Sequence, residues 1–231
     1  MPRNARVVVP EVPHHVYLRG NNRRRLFSSL GDRLRFLRCL EHGLRESGCH
    51  LHQLTLMNNH VHLIALPPTR DALSRLVART AQRYAQLRNA DRSASGKLFE
   101  ERFHSKIIED DAALMTTTMY NDANGYRAGL ADTAYGHPWS TGPFHAGVAG
   151  SRIPPHLWTP SRWYRRLGRD DDERARSYRE LITAYVLRDA VKDGPPRAAA
   201  EAAAPAPYTL RLERPDRSFA RELFSRWLEK A

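Results

Sequence analysis

An α+β fold, an antiparallel sheet with helices on one face, is what the sequence predicts. Three observations carry the prediction. Four short runs are rich in β-formers, and the clearest of them alternate with period two. Two long segments between them repeat apolar residues at three- and four-residue spacing. The order is strand, helix, strand, strand, helix, strand, and a further helix follows.

The first strand is His14-His15-Val16-Tyr17-Leu18-Arg19, entered through Pro10 and Pro13. Gly20-Asn21-Asn22 signals a turn, because Gly and Asn tolerate the left-handed region. Arg23-Arg24-Arg25 follows it. Residues 32–47 read as helix, with Leu34, Leu37, Leu40 and Leu44 at helical spacing and Gly48 as the stop. Residues 51–56 alternate as the second strand, Asn58-Asn59 turns the chain, and residues 60–66 form the third strand of a hairpin. Pro67-Pro68 ends it. The second helix spans 71–89, with Leu73, Leu76, Val77, Thr80, Tyr84 and Leu87 on its apolar face and Arg75, Arg79, Arg83 and Arg88 on the other. Residues 99–109 hold the fourth strand, centred on Ser105-Lys106-Ile107-Ile108. Asp110 or Asp111 caps a third helix that runs to about Asn124 and is closed by Gly125. This is the ferredoxin-like split βαβ arrangement with one added helix.

Beyond it the pattern loosens into a helical C-terminal extension. Residues 135–140 form a loop anchored by Trp139, and 142–155 are Gly/Pro-rich and irregular. A short helical turn fits within 160–169. Residues 171–189 are helical, with Tyr178, Leu181, Ile182, Tyr185 and Val186 apolar. Residues 195–207 are an Ala/Pro-biased linker, and 219–228 a last amphipathic helix with Phe219, Leu223 and Trp227. The expected division is a functional domain at 1–148, a helical accessory segment at 149–194, and linker plus terminal helix at 195–231.

Composition narrows the function. Lys and Arg number 37 against 25 Asp and Glu in 231 residues, a formal charge of +12. Such an excess points to a polyanion, nucleic acid above all. Two cysteines, Cys39 and Cys49, make no disulfide framework. With His42, His50 and His52 they fit no standard zinc finger. No signal peptide is visible, and no apolar stretch approaches the ~20 residues that span a bilayer. The expected setting is a reduced cytoplasm, without membrane association.

The chemistry begins at His60-Val61-His62. In a strand, residues two apart share a face, so both imidazoles project together while Val61 turns inward. Two imidazoles are half of a divalent-metal site. Tyr120 and Asn124, four apart on the third helix, share a helical face and offer a nucleophile and a third ligand. A hard cation such as Mg²⁺ prefers oxygen, while imidazole also suits Mn²⁺, so the expected cofactor is a divalent cation, Mg²⁺ or Mn²⁺. A phenolate attacking a phosphodiester would give a covalent phosphotyrosine. Arg19, Asn21, Asn22, Arg23, Arg24 and Arg102 are the expected DNA contacts. His14-His15 could place one further side chain near the site.

These residues carry a resemblance. His60-Val61-His62 resembles the HUH motif (His, bulky apolar, His) of single-tyrosine HUH endonucleases. Met57-Asn58-Asn59-His60-Val61-His62-Leu63 is similar to the corresponding segment of REP-associated tyrosine transposases. So are Leu18-Arg19-Gly20-Asn21-Asn22-Arg23, Leu98-Phe99-Glu100-Glu101-Arg102-Phe103, residues 120–130 and residues 135–140. The resemblance implies action on single-stranded DNA folded as palindromic hairpins. His60, His62 and Asn124 would hold the cation. Tyr120 would cleave one strand, leaving a 5′-phosphotyrosine and a free 3′-OH. It also implies a bacterial, nucleoid-associated monomer.

Asn58 stands where the family usually has Pro, and Gly125-Tyr126 replaces a usual Pro-Val. Tyr126 is therefore a second nearby tyrosine, disfavoured because the helix is expected to end before it and because it lacks the four-residue relation to a ligand. His104 stands where Lys is common, with Lys106 on the same strand face. Two other readings remain open. A non-catalytic nucleic-acid-binding domain would bind without a divalent cation and form no adduct. A phosphoesterase using water would keep cleaving after Tyr120→Phe.

Overall fold

The computed structural model describes residues 7–100 and 103–193. Arg102, the 195–207 linker and the 219–228 helix lie outside the described residues. The chain divides into two compact units, Met1–Ile108 with His156–Thr159, and Glu109–Pro155 with Pro160–Ala231.

The first unit contains β1 (His14–Arg19), α1 (Leu30–Ser47), β2 (His50–Leu56), β3 (His60–Leu66), α2 (Ala72–Asp91) and β4 (His104–Ile107). The sheet order is β2-β3-β1-β4, and every pairing is antiparallel. That is the expected split βαβ topology, with β3 inserted between β1 and β2.

Local chemistry sets the boundaries. Ser29 Oγ accepts from the Asp32 amide at 3.1 Å, while Asp32 Oδ2 accepts from the Ser29 amide at 3.2 Å. This capping box starts α1 at Leu30, two positions before the expected start, because Asp32 serves as the third helical residue and not as the cap. Gly48, at φ +72°, closes the helix as expected. Val16, Leu18, Leu54, Leu56, Val61 and Leu63 of the sheet are buried, as are Phe36, Leu37 and Leu40 of α1 and Leu73, Leu76 and Val77 of α2. Leu34 and Leu87, expected on the apolar faces, are instead exposed. Residues 156–159 return to cover the outer edge of β2: the Thr159 amide donates to Leu51 O at 2.8 Å and Trp158 Nε1 to His52 O at 3.0 Å. An edge strand that would otherwise present unpaired backbone groups is thereby closed.

The second unit contains α3 (Asp111–Arg127), α4 (Gly142–His145), α5 (Arg162–Arg165) and α6 (Asp171–Asp193). Asp110 caps α3, its Oδ1 accepting from the Ala113 amide at 2.7 Å. Here the expectation needs correction, since α3 does not stop at Gly125 but continues to Arg127. Gly125 is an interior residue. A Cβ there would lie 2.4 Å from His137 Cβ, so glycine is required for close approach and not for a left-handed cap. Gly129, at φ +67°, takes the left-handed position beyond the helix end. Leu114, Met115 and Met119 of α3 are buried, and so are Trp163, Tyr164, Leu167, Tyr178, Leu181 and Ile182.

One polar cluster sits inside this second core. Asp122 of α3 is fully buried and accepts three hydrogen bonds: from His145 Nδ1 at 2.8 Å, Tyr178 Oη at 2.7 Å and Ser140 Oγ at 3.0 Å. Burial beside this carboxylate holds the Tyr178 phenol well above its usual range. The serine, the histidine and the tyrosine all converge on the one buried carboxylate, which anchors the helix that bears it. It ties α3 to α4, α6 and the loop at 135–140.

Candidate active site

The hairpin register builds the histidine face. His62 pairs with Tyr17 and His60 with Arg19 across β3 and β1. Opposed residues in an antiparallel pair share a face, so His60, His62, Tyr17, Arg19 and His15 project together. His104 and Lys106 of β4, opposite Tyr17 and His15, join the same face. Val61 and Leu63 turn to the core. The ring centroids of His60 and His62 stand 5.0 Å apart, and Tyr17 lies 5.5 and 5.0 Å from them.

Each histidine has an orienting partner. His60 Nδ1 donates to Asn59 Oδ1 at 2.7 Å, which leaves its Nε2 as the unprotonated nitrogen. His62 Nδ1 lies 3.1 Å from His15 Nε2, and the two rings stack with 9° between their planes. With His62 as the donor, its Nε2 is likewise left with a lone pair. Burial, with the Arg19 charge adding to it, lowers His60 to about 4. Burial and the neighbouring Lys106 lower His15 to about 4. His62 is pushed well below its usual value by burial and by the two other imidazoles. All three are therefore neutral at physiological pH, the state a metal ligand needs. Two neutral imidazoles on one face can donate to a divalent cation, and by themselves they do not select which one. Among the described residues no group of three or more His, Cys, Asp or Glu could hold a metal ion.

His14, the other half of the dipeptide, faces away. It is buried, accepts from the Val9 amide at 3.3 Å and donates to Val12 O at 2.7 Å. His15 is the member that reaches the site, and pairing β1 against β3 is the signal that separates them.

The candidate DNA contacts divide. Asn21–Arg23 form a short 3₁₀ turn, with Asn22 at φ 51° and Arg23 at φ 58°. The positive φ at an arginine is backbone strain concentrated at the loop tip. Asn22, Arg23, Arg24 and Arg25 are exposed and Asn21 half-buried. Arg19 is different: its side chain is only 17% exposed, with Nε 4.0 Å from Glu100, so it belongs to the histidine face and not to the loop surface. The loop is held from beneath. Tyr84 Oη donates to Leu26 O at 2.6 Å and Arg88 Nη2 to Arg25 O at 3.0 Å. The Asn58-Asn59 turn braces it too, since Asn58 O accepts from the Leu26 amide and Asn59 Nδ2 donates to Arg23 O.

Tyr120 and Asn124 belong to α3 of the second unit, four residues apart and both half-buried. The side-chain amide nitrogen of Asn124 is buried with no hydrogen-bond partner among the described residues. Amide O and N are assigned from such networks, so an unpaired buried amide is a group available to a ligand. Tyr126 lies inside α3, which removes one ground for setting it aside; the other stands, because none of His60, His62 and Asn124 lies four residues from it. Arg127 was missed from sequence. It donates to Tyr120 O at 3.2 Å, and its guanidinium lies 5.1 Å from the Tyr120 ring centre. Its spacing of seven from Tyr120, two helical turns, was the available signal. The structure thus groups His60 and His62 with His15, Tyr17 and Arg19 in one unit, and Tyr120 and Asn124 with Arg127 in the other.

Residues 8–122 match the model of the IS200-like transposases. Over that span the chain belongs to the IS200-like transposase family. The match includes the histidine pair and Tyr120 and ends before Asn124. Among solved structures, a REP-associated tyrosine transposase bound to a REP hairpin is similar with a TM-score of 0.54 at 18% identity, covering 70% of this chain and 93% of that one. The four-stranded antiparallel α+β fold is the fold of that transposase. A Deinococcus radiodurans R1 protein provisionally assigned as a transposase aligns at a TM-score of 0.37 and 17% identity, covering 52% of this chain and 95% of that one. No curated protein matches this transposase-family chain.

Proposed function

We propose that this chain is a divalent-metal-dependent endonuclease and strand transferase of the REP-associated tyrosine kind, acting on single-stranded hairpin DNA. The observation that supports it most is the paired His60 and His62, each neutral and each oriented by its own partner, within a chain of the IS200-like transposase family. The REP hairpin held by the structurally similar transposase supports the substrate class.

In this reading His60, His62 and the Asn124 amide hold the cation, Mg²⁺ or Mn²⁺. The chemistry a cation supplies there is Lewis-acid polarisation of a phosphodiester. Tyr120 attacks the phosphorus through its Oη. The Oη–P bond forms as the P–O3′ bond breaks, giving a 5′-phosphotyrosine and a 3′-oxygen that takes up a proton to become the free 3′-OH. The phenol proton is lost first, because a free phenol titrates near ~10 and is a poor nucleophile when protonated. The 3′-OH reverses the step when it attacks the phosphotyrosine, which reseals or transfers the strand. Arg19, Asn21, Asn22, Arg23, Arg24 and Arg102 contact DNA, Arg19 from the histidine face. Residues 1–148 form the functional domain, with 149–194 as an accessory segment and 195–231 beyond it. The protein acts as a monomer in the bacterial cytoplasm, near the nucleoid.

Covalent capture tests the reading. Purified protein is mixed with hairpin oligonucleotides from repeats flanking its own gene, with Mn²⁺ or Mg²⁺, and run on a denaturing gel. A slow-migrating adduct, lost in Tyr120→Phe and in His60→Ala, is expected. Cleavage that survives Tyr120→Phe would mean water is the nucleophile. A metal-independent shift on a native gel with no adduct would leave only a binding module.

A further inference from the structure

Tyr120, Asn124 and Arg127 form one stripe on α3, spaced by four and then three residues. The Arg127 side chain folds back along this stripe, toward the helix N-terminus, as long helical side chains do. Its guanidinium ends between two tyrosine rings, 5.1 Å from the centre of Tyr120 and 5.3 Å from the centre of Tyr185 of α6. Arg127 Nη1 also donates to Tyr120 O, so the same group grips ring and backbone of one residue. Two rows of contact therefore join α6 to α3. Tyr178 reaches Asp122 at 2.7 Å, and Tyr185, seven residues later on the same side of α6, faces Arg127.

A planar guanidinium between two aromatic faces is attracted to both and restricts each. We propose that Arg127 is the positioning residue for Tyr120: clamped against Tyr185, it holds the Tyr120 ring in a single orientation and makes α6 part of the nucleophile's support. The inference rests on Tyr120 being the nucleophile. It gives α6 a role that neither charge nor periodicity in the sequence assigns.

The test uses the full chain with two independent readouts. The first is ¹⁹F NMR of protein carrying 3-fluorotyrosine at position 120, without DNA. The parent gives one narrow line. Arg127→Ala broadens or splits it, Tyr185→Leu does so more weakly, and Tyr185→Phe, which keeps the ring, restores one line. The second is the rate of adduct formation at saturating hairpin oligonucleotide and the concentration for half-saturation. Arg127→Ala is expected to slow the saturated rate roughly ten- to a hundredfold, the cost of a misplaced reacting group, with half-saturation unchanged. Arg127→Lys recovers part of that rate. Circular dichroism melts confirm that each variant folds; should Arg127→Ala fail to fold, Tyr185→Leu carries both readouts. A narrow line with the parent rate in Arg127→Ala overturns the proposal. So does a loss confined to half-saturation, which would make Arg127 a DNA contact. An adduct that persists in Tyr120→Phe overturns the nucleophile reading instead, and the NMR arm still decides whether Arg127 orders the ring.

Discussion

His14 and His15 are adjacent in sequence and face opposite sides of the sheet. One closes a local turn with Val9 and Val12; the other stacks on His62 and faces Lys106 across the β1–β4 pair. The same burial that keeps His15 and His60 neutral has a cost in acid. Their folded-state pKa values are lowered to about 4, below the ordinary value near ~6.5. Between those values the unfolded chain binds protons that the folded chain refuses, so stability falls as pH falls. Their contribution is complete above the unfolded pKa and is lost progressively toward pH 4. Urea midpoints measured from pH 7 to pH 4 should therefore decline through this window. A His15→Asn, His60→Asn double variant should decline less steeply. A parallel decline in both proteins would show that other groups carry the acid sensitivity.

At the scale of the element, α3 is decided by what packs against it. Gly125 sits inside the helix because His137 occupies the space a methyl group would need. Gly125→Ala sets two effects against each other. Alanine gains about 1 kcal/mol of helix propensity over glycine. Overpacking against a ring held in the core costs roughly 1–3 kcal/mol. The contact distance is too short for the ring to absorb without moving, so a net loss and a lower urea midpoint are expected. An unchanged or higher midpoint would mean that His137 moves aside. Asp122, three residues before Gly125 on the same side of α3, fixes that side further through its buried hydrogen bonds. The helix bearing Tyr120 is thus held by side chains from α4, α6 and the loop at 135–140.

At the scale of the whole molecule, the charge of +12 governs how the chain meets a polyanion. Phosphate contacts release counterions, so affinity for a hairpin oligonucleotide should fall steeply as salt rises. Arg23→Ala and Arg24→Ala should each lower the slope of log affinity against log salt by about 0.7 to 0.9 if each side chain meets one phosphate. Anisotropy titrations between about 50 and 200 mM salt would measure this. Slopes equal to the parent's would remove the Arg23–Arg24 loop from the DNA path. No described helix is long and apolar enough to cross a membrane.

The order of the elements, the hairpin carrying His60 and His62 and the pairing of Tyr120 with Asn124 on one helical face were legible from sequence, because periodicity and turn residues act over a few positions. The family was legible for the same reason, since its motifs are local runs. Helix ends were less so: Asp32 and Gly125 look like end signals, but a capping box and a neighbouring imidazole give them interior roles. Which histidine of the pair at 14 and 15 meets His62, how Arg127 comes to lie between Tyr120 and Tyr185, and how Asp122 gathers Ser140, His145 and Tyr178 were decided by tertiary structure alone. Those contacts join residues from 18 to 58 positions apart within each unit, except the two-turn step from Arg127 to Tyr120, and no local pattern records which side chains packing will bring together.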